Sequence, residues 1–383
     1  MNVPKLRFKE FTGEYLEEKV SNVCYISTGK SNTQDKVEDG EYPFYVRSAI
    51  IERSNKYLYD EEAVLTVGDG VGTGKTYHYV NGKYDLHQRV YRMFDFKNVL
   101  GKYFYYYFTE HFYKRVAKMS AKNSVDSVRL NMIADMPIML PCVEEQEKVS
   151  DFISYVDDKI KVLQKTIISL ENQKSALLGK IFSQELRFKD ENGKDFPAWE
   201  EKKLGEVCDV RDGTHESPKY LKEGYPLVTS KNLIDGKIDF TDINFISKTD
   251  YENINKRSKV DAGDILLSMI GTVGSVAFIE NDGFAIKNVG LIKKGEKISN
   301  KFVYYYLESP LFKQYVKSSN TGGTQKFISL GRIRDASIVL PCKEEQNEIV
   351  DFLATIDKKV NLELEKLEHW KQIKKGFLQQ MFV

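Results

Sequence analysis

The feature that most constrains this chain is a heptad stripe that occurs twice. Leu140-Pro141-Cys142 runs into Glu144-Glu145-Gln146, and 200 residues later Leu340-Pro341-Cys342 runs into Glu344-Glu345-Gln346. Proline ends a preceding strand, and the acidic pair suits the positive end of a helix. Apolar residues follow at Val149, Ile153, Val156, Ile160, Leu163, Ile167, Leu170, Leu177 and Ile181, largely in alternating steps of four and three. The same positions in the second copy hold Ile349, Leu353, Ile356, Val360, Glu363, Leu367, Trp370, Phe377 and Met381. Lys174 interrupts one stripe and Lys374 the other, so the two share even their flaw. A straight helix over 144–182 is about 58 Å long at about 1.5 Å per residue. A stripe of that length has no core of its own, and the economical partner for each copy is the other.

The rest of the chain repeats with it. Leu6-Arg7-Phe8-Lys9 matches Leu186-Arg187-Phe188-Lys189, and Glu17-Glu18-Lys19 through Cys24 resembles Glu200-Glu201-Lys202 through Cys208. The order is cyclic: leading segment, globular region, helix, then the same again. Paired units of this kind pack about a pseudo-twofold axis. That predicts an α+β chain of two similar globular α/β domains separated by two long helices in an antiparallel coiled coil. The expected limits are 1–140, 141–185, 186–340 and 341–383.

In the first globular region, Tyr42-Pro43-Phe44-Tyr45-Val46, Ala63-Val64-Leu65-Thr66-Val67, Thr76-Tyr77-His78-Tyr79-Val80 and Gln88-Arg89-Val90-Tyr91 alternate as strands. The Tyr-rich run 102–118 reads as a helix, with a strand as the alternative. Residues 135–140 form a strand leading into the long helix. The second region repeats this plan: Tyr225-Pro226-Leu227-Val228 parallels Tyr42-Pro43-Phe44-Tyr45, 264–269 parallels the strand at Ala63, and 302–307 parallels the Tyr-rich run. The loops diverge. Gly29-Lys30-Ser31-Asn32 has little in common with Asp212-Gly213-Thr214-His215.

A 41% apolar content allows real cores in 383 residues, and the length suits two or three domains. Neither a membrane-length apolar run nor a signal-peptide core is present, so a soluble cytoplasmic protein is expected. The net charge of +1 makes any basic surface local. Cys24, Cys142, Cys208 and Cys342 fall at repeat-equivalent positions without metal-ligand spacing, and are expected to be small buried residues.

Gly68-Asp69-Gly70-Val71-Gly72-Thr73-Gly74-Lys75-Thr76 imitates a phosphate-binding loop. The required first glycine is Asp69, a strand rather than a helix follows, and the repeat copy 269–274 loses the lysine. A glycine-rich turn, which lets backbone approach a ligand, is the better reading. No methyltransferase Asn-Pro-Pro or Asp-Pro-Pro run, HExxH, GxSxG or metal cluster occurs, and the histidines at 78, 87, 111, 215 and 369 are scattered. The basic segments say more. Lys114, Arg115, Lys118, Lys122 and Arg129 face one Asp126, while Lys313, Lys317, Lys326, Arg332 and Arg334 face no acid over 313–334. Each contains a small polar turn, and each follows the Tyr-rich segment. Cations neutralise phosphates, and Asn, Gln, Ser and Thr address phosphates or base edges. One such loop is ordinary surface; its recurrence points toward nucleic acid.

With its duplicated Leu-Arg-Phe segments, its Leu-Pro-Cys-x-Glu-Glu-Gln helix openings, Arg211-Asp212-Gly213-Thr214-His215 with Pro218-Lys219-Tyr220, and Thr321-Gly322-Gly323-Thr324-Gln325-Lys326, the chain resembles the DNA specificity subunit of type I restriction-modification systems over essentially its full length. Both copies carry Cys where many members have a second Pro or small residue after Leu-Pro. The resemblance implies two target-recognition domains, each reading half of a split site in double-stranded DNA, with the helices setting the spacer. It implies docking of two methyltransferase subunits, later joined by translocase-nuclease restriction subunits. It implies no catalysis and no cofactor in this chain; S-adenosylmethionine, ATP and Mg belong to the partners. It implies no membrane partner.

Polar loops beside glycine turns give the candidate DNA-binding residues. In the first region these are Lys75 and Thr76 of the 68–76 loop, His87, Gln88 and Arg89, and Lys118, Lys122, Asn123 and Arg129 of the 114–129 segment. In the second they are Thr214, His215, Lys219, Ser230, Lys231, Asn232, Lys287 and Asn288, with Thr321, Thr324, Gln325, Lys326 and Arg332 of the 317–332 segment. A coiled-coil adaptor with protein-binding ends, or a nucleotide hydrolase using the 68–76 loop, are the competing readings.

Overall fold

The structure is a computed structural model describing residues 3–70, 72–119, 127–295, 298–319 and 327–383. The chain divides into two compact units, Met1–Gln164 with Glu365–Val383, and Lys165–Leu364. The two long helices, Val143–Phe182 and Lys343–Met381, therefore each contribute to both units.

Within each unit the two helices run antiparallel. In the first, Phe152 meets Phe377 with ring centroids 4.8 Å apart, and Asp157 meets Lys374 at 2.6 Å, so rising numbers on one helix meet falling numbers on the other. In the second, Lys174 meets Asp357 at 2.7 Å, and Leu178 and Ile181 share a core with Ile349 and Leu353. Every heptad residue named above is buried or half-buried. Near the helix ends burial passes from the expected Leu177 and Phe377 to their neighbours Leu178 and Leu378.

The duplicated opening motif has a mechanical reason. Glu145 is fully buried and accepts from Arg7 Nε and Nη2 at 2.8 and 2.7 Å and from Tyr15 Oη at 2.8 Å. Glu345, equally buried, accepts from Arg187 Nε and Nη2, both at 2.8 Å, and from Trp199 Nε1 at 2.8 Å. Paired, forked donors are what a buried carboxylate requires. The helix dipole, expected to explain the acidic pair, is thus secondary for this glutamate. Gln146 and Gln346 turn their Nε2 back to the Pro141 and Pro341 carbonyls, each at 3.0 Å, which fixes the strand-to-helix corner. Phe8 packs edge-on against Phe152, and Phe188 against Phe352. The Leu186 amide bonds the Lys180 carbonyl at 3.0 Å, and the Leu6 amide bonds the Gln380 carbonyl at 2.9 Å. Each leading segment is thus tied to the end of a long helix, one through the chain and one across it. The repeat is cyclic in space as well as in order.

The first unit carries a six-stranded sheet in the order Tyr25–Thr28, Val90–Phe94, Tyr59–Val67, Tyr77–Leu86, Tyr42–Tyr45 and Ile51–Ser54. The Tyr-rich run is a helix, Gly101–Met119, whose Phe104, Phe108 and Phe112 stack at four-residue spacing, with centroids 5.5 and 4.3 Å apart. Gln88 and Arg89, expected in a strand, lie in the turn before it. The Val90 amide returns to the His87 carbonyl at 2.9 Å, and the Arg89 amide donates to His87 Nδ1 at 3.0 Å.

The second unit splits its strands into a four-stranded sheet (Val210–Asp212, Val289–Ile292, Ile265–Ser268, Val276–Phe278) and a three-stranded one (Asn244–Ile246, Tyr225–Val228, Ala285–Ile286). Its Tyr-rich helix breaks into Asn300–Glu308 and Pro310–Ser318, because Ser309 caps the second piece and Pro310 cannot continue the first. In each unit a short antiparallel pair, Leu16–Lys19 with Pro137–Leu140 or Glu200–Lys203 with Ser337–Leu340, delivers the chain to its long helix. Cys24 and Cys208 are buried, with thiols pushed up to about 12 by burial, whereas Cys142 is exposed and Cys342 half-buried. The expectation of four buried cysteines fails at the helix openings, where the side chains precede the corner instead of lining the core.

Candidate nucleic-acid interface

In each unit equivalent backbone hydrogen bonds gather several loops that follow the ends of strands. In the first, the Gly68 amide donates to the Arg89 carbonyl at 2.9 Å, the Val128 amide to the Gly68 carbonyl at 2.8 Å, and the Gln88 amide to the Ser31 carbonyl at 2.9 Å. His87 is tied to the Tyr45 carbonyl at 3.0 Å. In the second, the Ile328 amide donates to the Met269 carbonyl at 3.0 Å, the Asn288 amide to the Thr214 carbonyl at 3.1 Å, and the Lys287 amide to the Val228 carbonyl at 2.9 Å. His87 thus corresponds to Lys287, Gln88 to Asn288, Ser31 to Thr214 and Tyr45 to Val228. The loops that looked unrelated also share a glycine. A Cβ on Gly29 would lie 2.1 Å from the Leu86 carbonyl oxygen, and one on Gly213 would lie 2.4 Å from that of Ile286. Only glycine lets these strands approach so closely.

On this common frame the side chains differ. The first turn presents exposed Lys75, Gln88 and Arg89, with Arg129 exposed at the head of the following segment. Lys75 Nζ stands 5.0 Å from the centre of the Tyr113 ring. Arg47, not anticipated from sequence, is exposed beside the glycine loop, and its carbonyl accepts the Gly72 amide at 3.4 Å. It is placed like Ser230 of the second unit, two residues beyond an equivalent strand end. Applying the choice of Ser230 back across the repeat would have found it.

Thr76 and His87 are buried, at 9% and 4% exposure. His87 shapes the turn through its Nδ1, and burial lowers its pKa below the ordinary value. Lys118 lines a different cleft, with Lys114, Arg115 and Met136. The glycine loop spends its amides internally: Thr73, Gly74 and Thr76 donate to the carbonyls of Gly70, Val67 and Gly72 at 3.1, 3.2 and 3.0 Å. Its described residues do not form the row of free amides a phosphate-binding loop needs.

In the second unit Thr214, Ser230, Lys287 and Asn288 are half-buried, and His215, Lys219, Lys231 and Arg332 are exposed. Lys287 Nζ donates to Ser217 Oγ at 2.7 Å, and Lys231 pairs with Asp242 at 2.8 Å. Ser230 Oγ donates to the Asn288 carbonyl at 3.3 Å. Asn232 is 3% exposed, and its amide is spent on the loop, accepting from Thr229 and donating to the Asp239 and Asp242 carbonyls. It builds the site without facing it. Asp212, 6% exposed, accepts from Arg257 and lies 2.9 Å from His215 Nε2. Lys122, Asn123, Thr321, Thr324, Gln325 and Lys326 lie outside the described residues. Among the described residues no group of three or more His, Cys, Asp or Glu side chains could hold a metal ion, and no helix is long and apolar enough to cross a membrane.

Comparison with known proteins meets this duplicated frame at both copies. The Type I restriction modification DNA specificity domain matches residues 14–172 and again 198–374. A Methanocaldococcus jannaschii protein, the type I restriction enzyme MjaVIII specificity subunit, is 25% identical over 368 residues, covering 90% of this chain and 86% of the relative. The type I restriction enzyme EcoBI specificity subunit of Escherichia coli is 24% identical over 324 residues, or 75% of this chain and 67% of the relative. Among solved structures, the S subunit of a type I restriction-modification system from M. genitalium shares the fold at TM-score 0.60 and 15% identity, covering 100% of this chain and 99% of that one. A chain from a structure of a type I R-M system does so at TM-score 0.55 and 16% identity, covering 96% and 97%. With the family profile matched twice and across most of its length, the chain belongs to the type I restriction-modification DNA specificity family.

Proposed function

We propose that this chain is the DNA-recognition subunit of a type I restriction-modification complex, with each unit reading one half of a bipartite site in double-stranded DNA. The observation that carries this reading is the turn cluster built twice on one backbone frame with different side chains: Gln88 and Arg47 in one unit, Asn288 and Ser230 in the other. Equivalent scaffolds bearing unequal polar groups suit two different short sequences, since phosphate contacts place a protein on DNA and side chains at base edges specify sequence. The antiparallel helices set the distance between half-sites and dock two methyltransferase subunits, which restriction subunits then join. The chain itself is non-catalytic. S-adenosylmethionine, ATP and Mg belong to the partners, and the complex works in the cytoplasm. An adaptor without DNA readout has no use for unequal polar side chains on a shared frame. Selection of bound duplexes from a randomised library, using the full chain assembled with its methyltransferase subunits, tests the proposal. Two separated short motifs at fixed spacing are expected; binding without sequence preference overturns it.

A further inference from the structure

His215 has an acceptor at each ring nitrogen. Nε2 lies 2.9 Å from Asp212 Oδ2, and Nδ1 lies 2.8 Å from Asn288 Oδ1. A carboxylate and an amide carbonyl both only accept, so this arrangement suits a ring that carries hydrogen on both nitrogens, the imidazolium form. The groups facing it fit that charge. Asp212 on the neighbouring strand is buried, with Arg257 of the Lys248–Ser258 helix on its other oxygen, and Asn288 closes the far side. The bonds to Asn288 and Asp212 together raise the pKa of His215, with burial and the Arg257 charge opposing them. Asn288 is itself held firmly. It sits in the left-handed region at φ 54°, its amide is bonded to Thr214, and its carbonyl accepts from Ser230. With Oδ1 taken by the ring, Nδ2 has no partner among the described residues.

We propose that Asn288 is a base-reading residue of the second unit, and that His215, held by Asp212, is the positioning residue that sets whether its amide donates or accepts. This rests on the DNA-reading function proposed above. With His215 charged, Asn288 presents its NH2 and selects acceptor edges: purine N7, guanine O6 or thymine O4. When Nδ1 loses its proton to solvent, that nitrogen becomes an acceptor facing an acceptor. The amide then turns over, donates Nδ2–H to the ring, and presents Oδ1 to donor edges: adenine N6 or cytosine N4. Gln88, the equivalent residue of the first unit, gives its Nε2 to Asn32 Oδ1 and, among the described residues, has no titratable group bonded to its amide. The structure therefore assigns a pH-dependent letter to one half-site and a pH-independent one to the other.

The test is duplex selection by the full chain assembled with its methyltransferase subunits, at about pH 6 and about pH 9, on the acid and the alkaline side of the ordinary histidine range. The expected result is a change in preference of about tenfold or more at one base position of the second half-site, and none in the first half-site. Asn288→Ala removes preference at that position at both pH values, and His215→Gln abolishes the pH shift while keeping a fixed preference. Retention of every base preference by Asn288→Ala, or a pH shift that survives His215→Gln, overturns the assignment while the DNA-reading function stands. A wild-type second half-site whose preference is the same at both pH values also overturns it, and needs no variant to fold. Absence of any half-site preference in the wild type overturns the function and the assignment together.

Discussion

Lys174 Nζ lies 2.7 Å from Asp357 Oδ1, and the pair repeats 200 residues apart, with Lys374 Nζ lying 2.6 Å from Asp157 Oδ1. The two lysines that spoil the heptad stripe are each matched by an aspartate on the antiparallel helix of the same unit. Lys174 also meets Glu308 at 2.8 Å, and its side chain is 16% exposed. Burial works against its charge, yet Glu308 and Asp357 hold its pKa above the ordinary lysine value. A polar pair in an apolar seam is a known way of fixing register.

Lys174→Met is therefore expected to destabilise the chain by about 2–4 kcal/mol, because it takes the bonded lysine from two part-buried carboxylates. Adding Asp357→Leu should restore part of that loss. Urea denaturation of the purified variants measures both, and an unchanged midpoint for Lys174→Met would contradict the pairing.

The buried glutamates at the helix openings make a second test. Arg7→Ala strands Glu145, and Arg187→Ala strands Glu345, each carboxylate fully buried. Each substitution is expected to cost about 3–5 kcal/mol. Arg7→Lys should recover little of it, since lysine cannot supply the forked pair of donors. Thermal denaturation of the three variants compares them directly.

Acid should act on the two units in opposite directions. Burial lowers the pKa of His78, His87 and His111 of the first unit, which therefore stay neutral in the folded chain. The unfolded chain takes up these protons near about pH 6.5, so stability falls as pH drops from there toward the lowered folded values. His215 has a raised pKa, so its contribution is complete below about pH 6.5 and is lost as pH rises through its folded value. His111→Gln should flatten the acid side of the stability curve, and His215→Gln the alkaline side. Chemical denaturation between about pH 5 and about pH 9 reads both slopes.

Arg89 is exposed, and its carbonyl anchors Gly68. If the side chain meets a phosphate, Arg89→Ala should reduce the slope of log affinity against log salt by about 1, equally across sequences. If it reads a base, the loss is confined to one position of the first half-site. A titration with no change in affinity, salt slope or preference would remove Arg89 from the interface.

Periodicity and repetition made the scaffold legible. The heptad steps and the 200-residue offset gave the long helices within a residue of their ends, and the cyclic order is seen in the Leu6 and Leu186 hydrogen bonds. Partnership was harder to read. Nothing local says that Glu145 awaits Arg7, 138 positions earlier, or that Lys174 has an aspartate across the seam. The candidate interface divided in the same way. Asn288 was singled out because polar loops beside glycine are recognisable, whereas Gln88 and Arg89 were expected to open a strand and lie in the turn before it. Asn232 and Thr76 look identical to them in sequence, yet folding spends their polar groups or buries them. Arg47 was missed because one arginine after a strand carries no pattern until its equivalence to Ser230 is seen in space.

The central claim is that one chain holds two independent readers on a shared frame. The most direct measurement replaces residues 15–140 with the corresponding region of another family member, and sequences the duplexes selected by the assembled complex. The account predicts that one half of the recognised motif changes while the other half and the spacing stay the same. A motif that changes in both halves, or in neither, would contradict it.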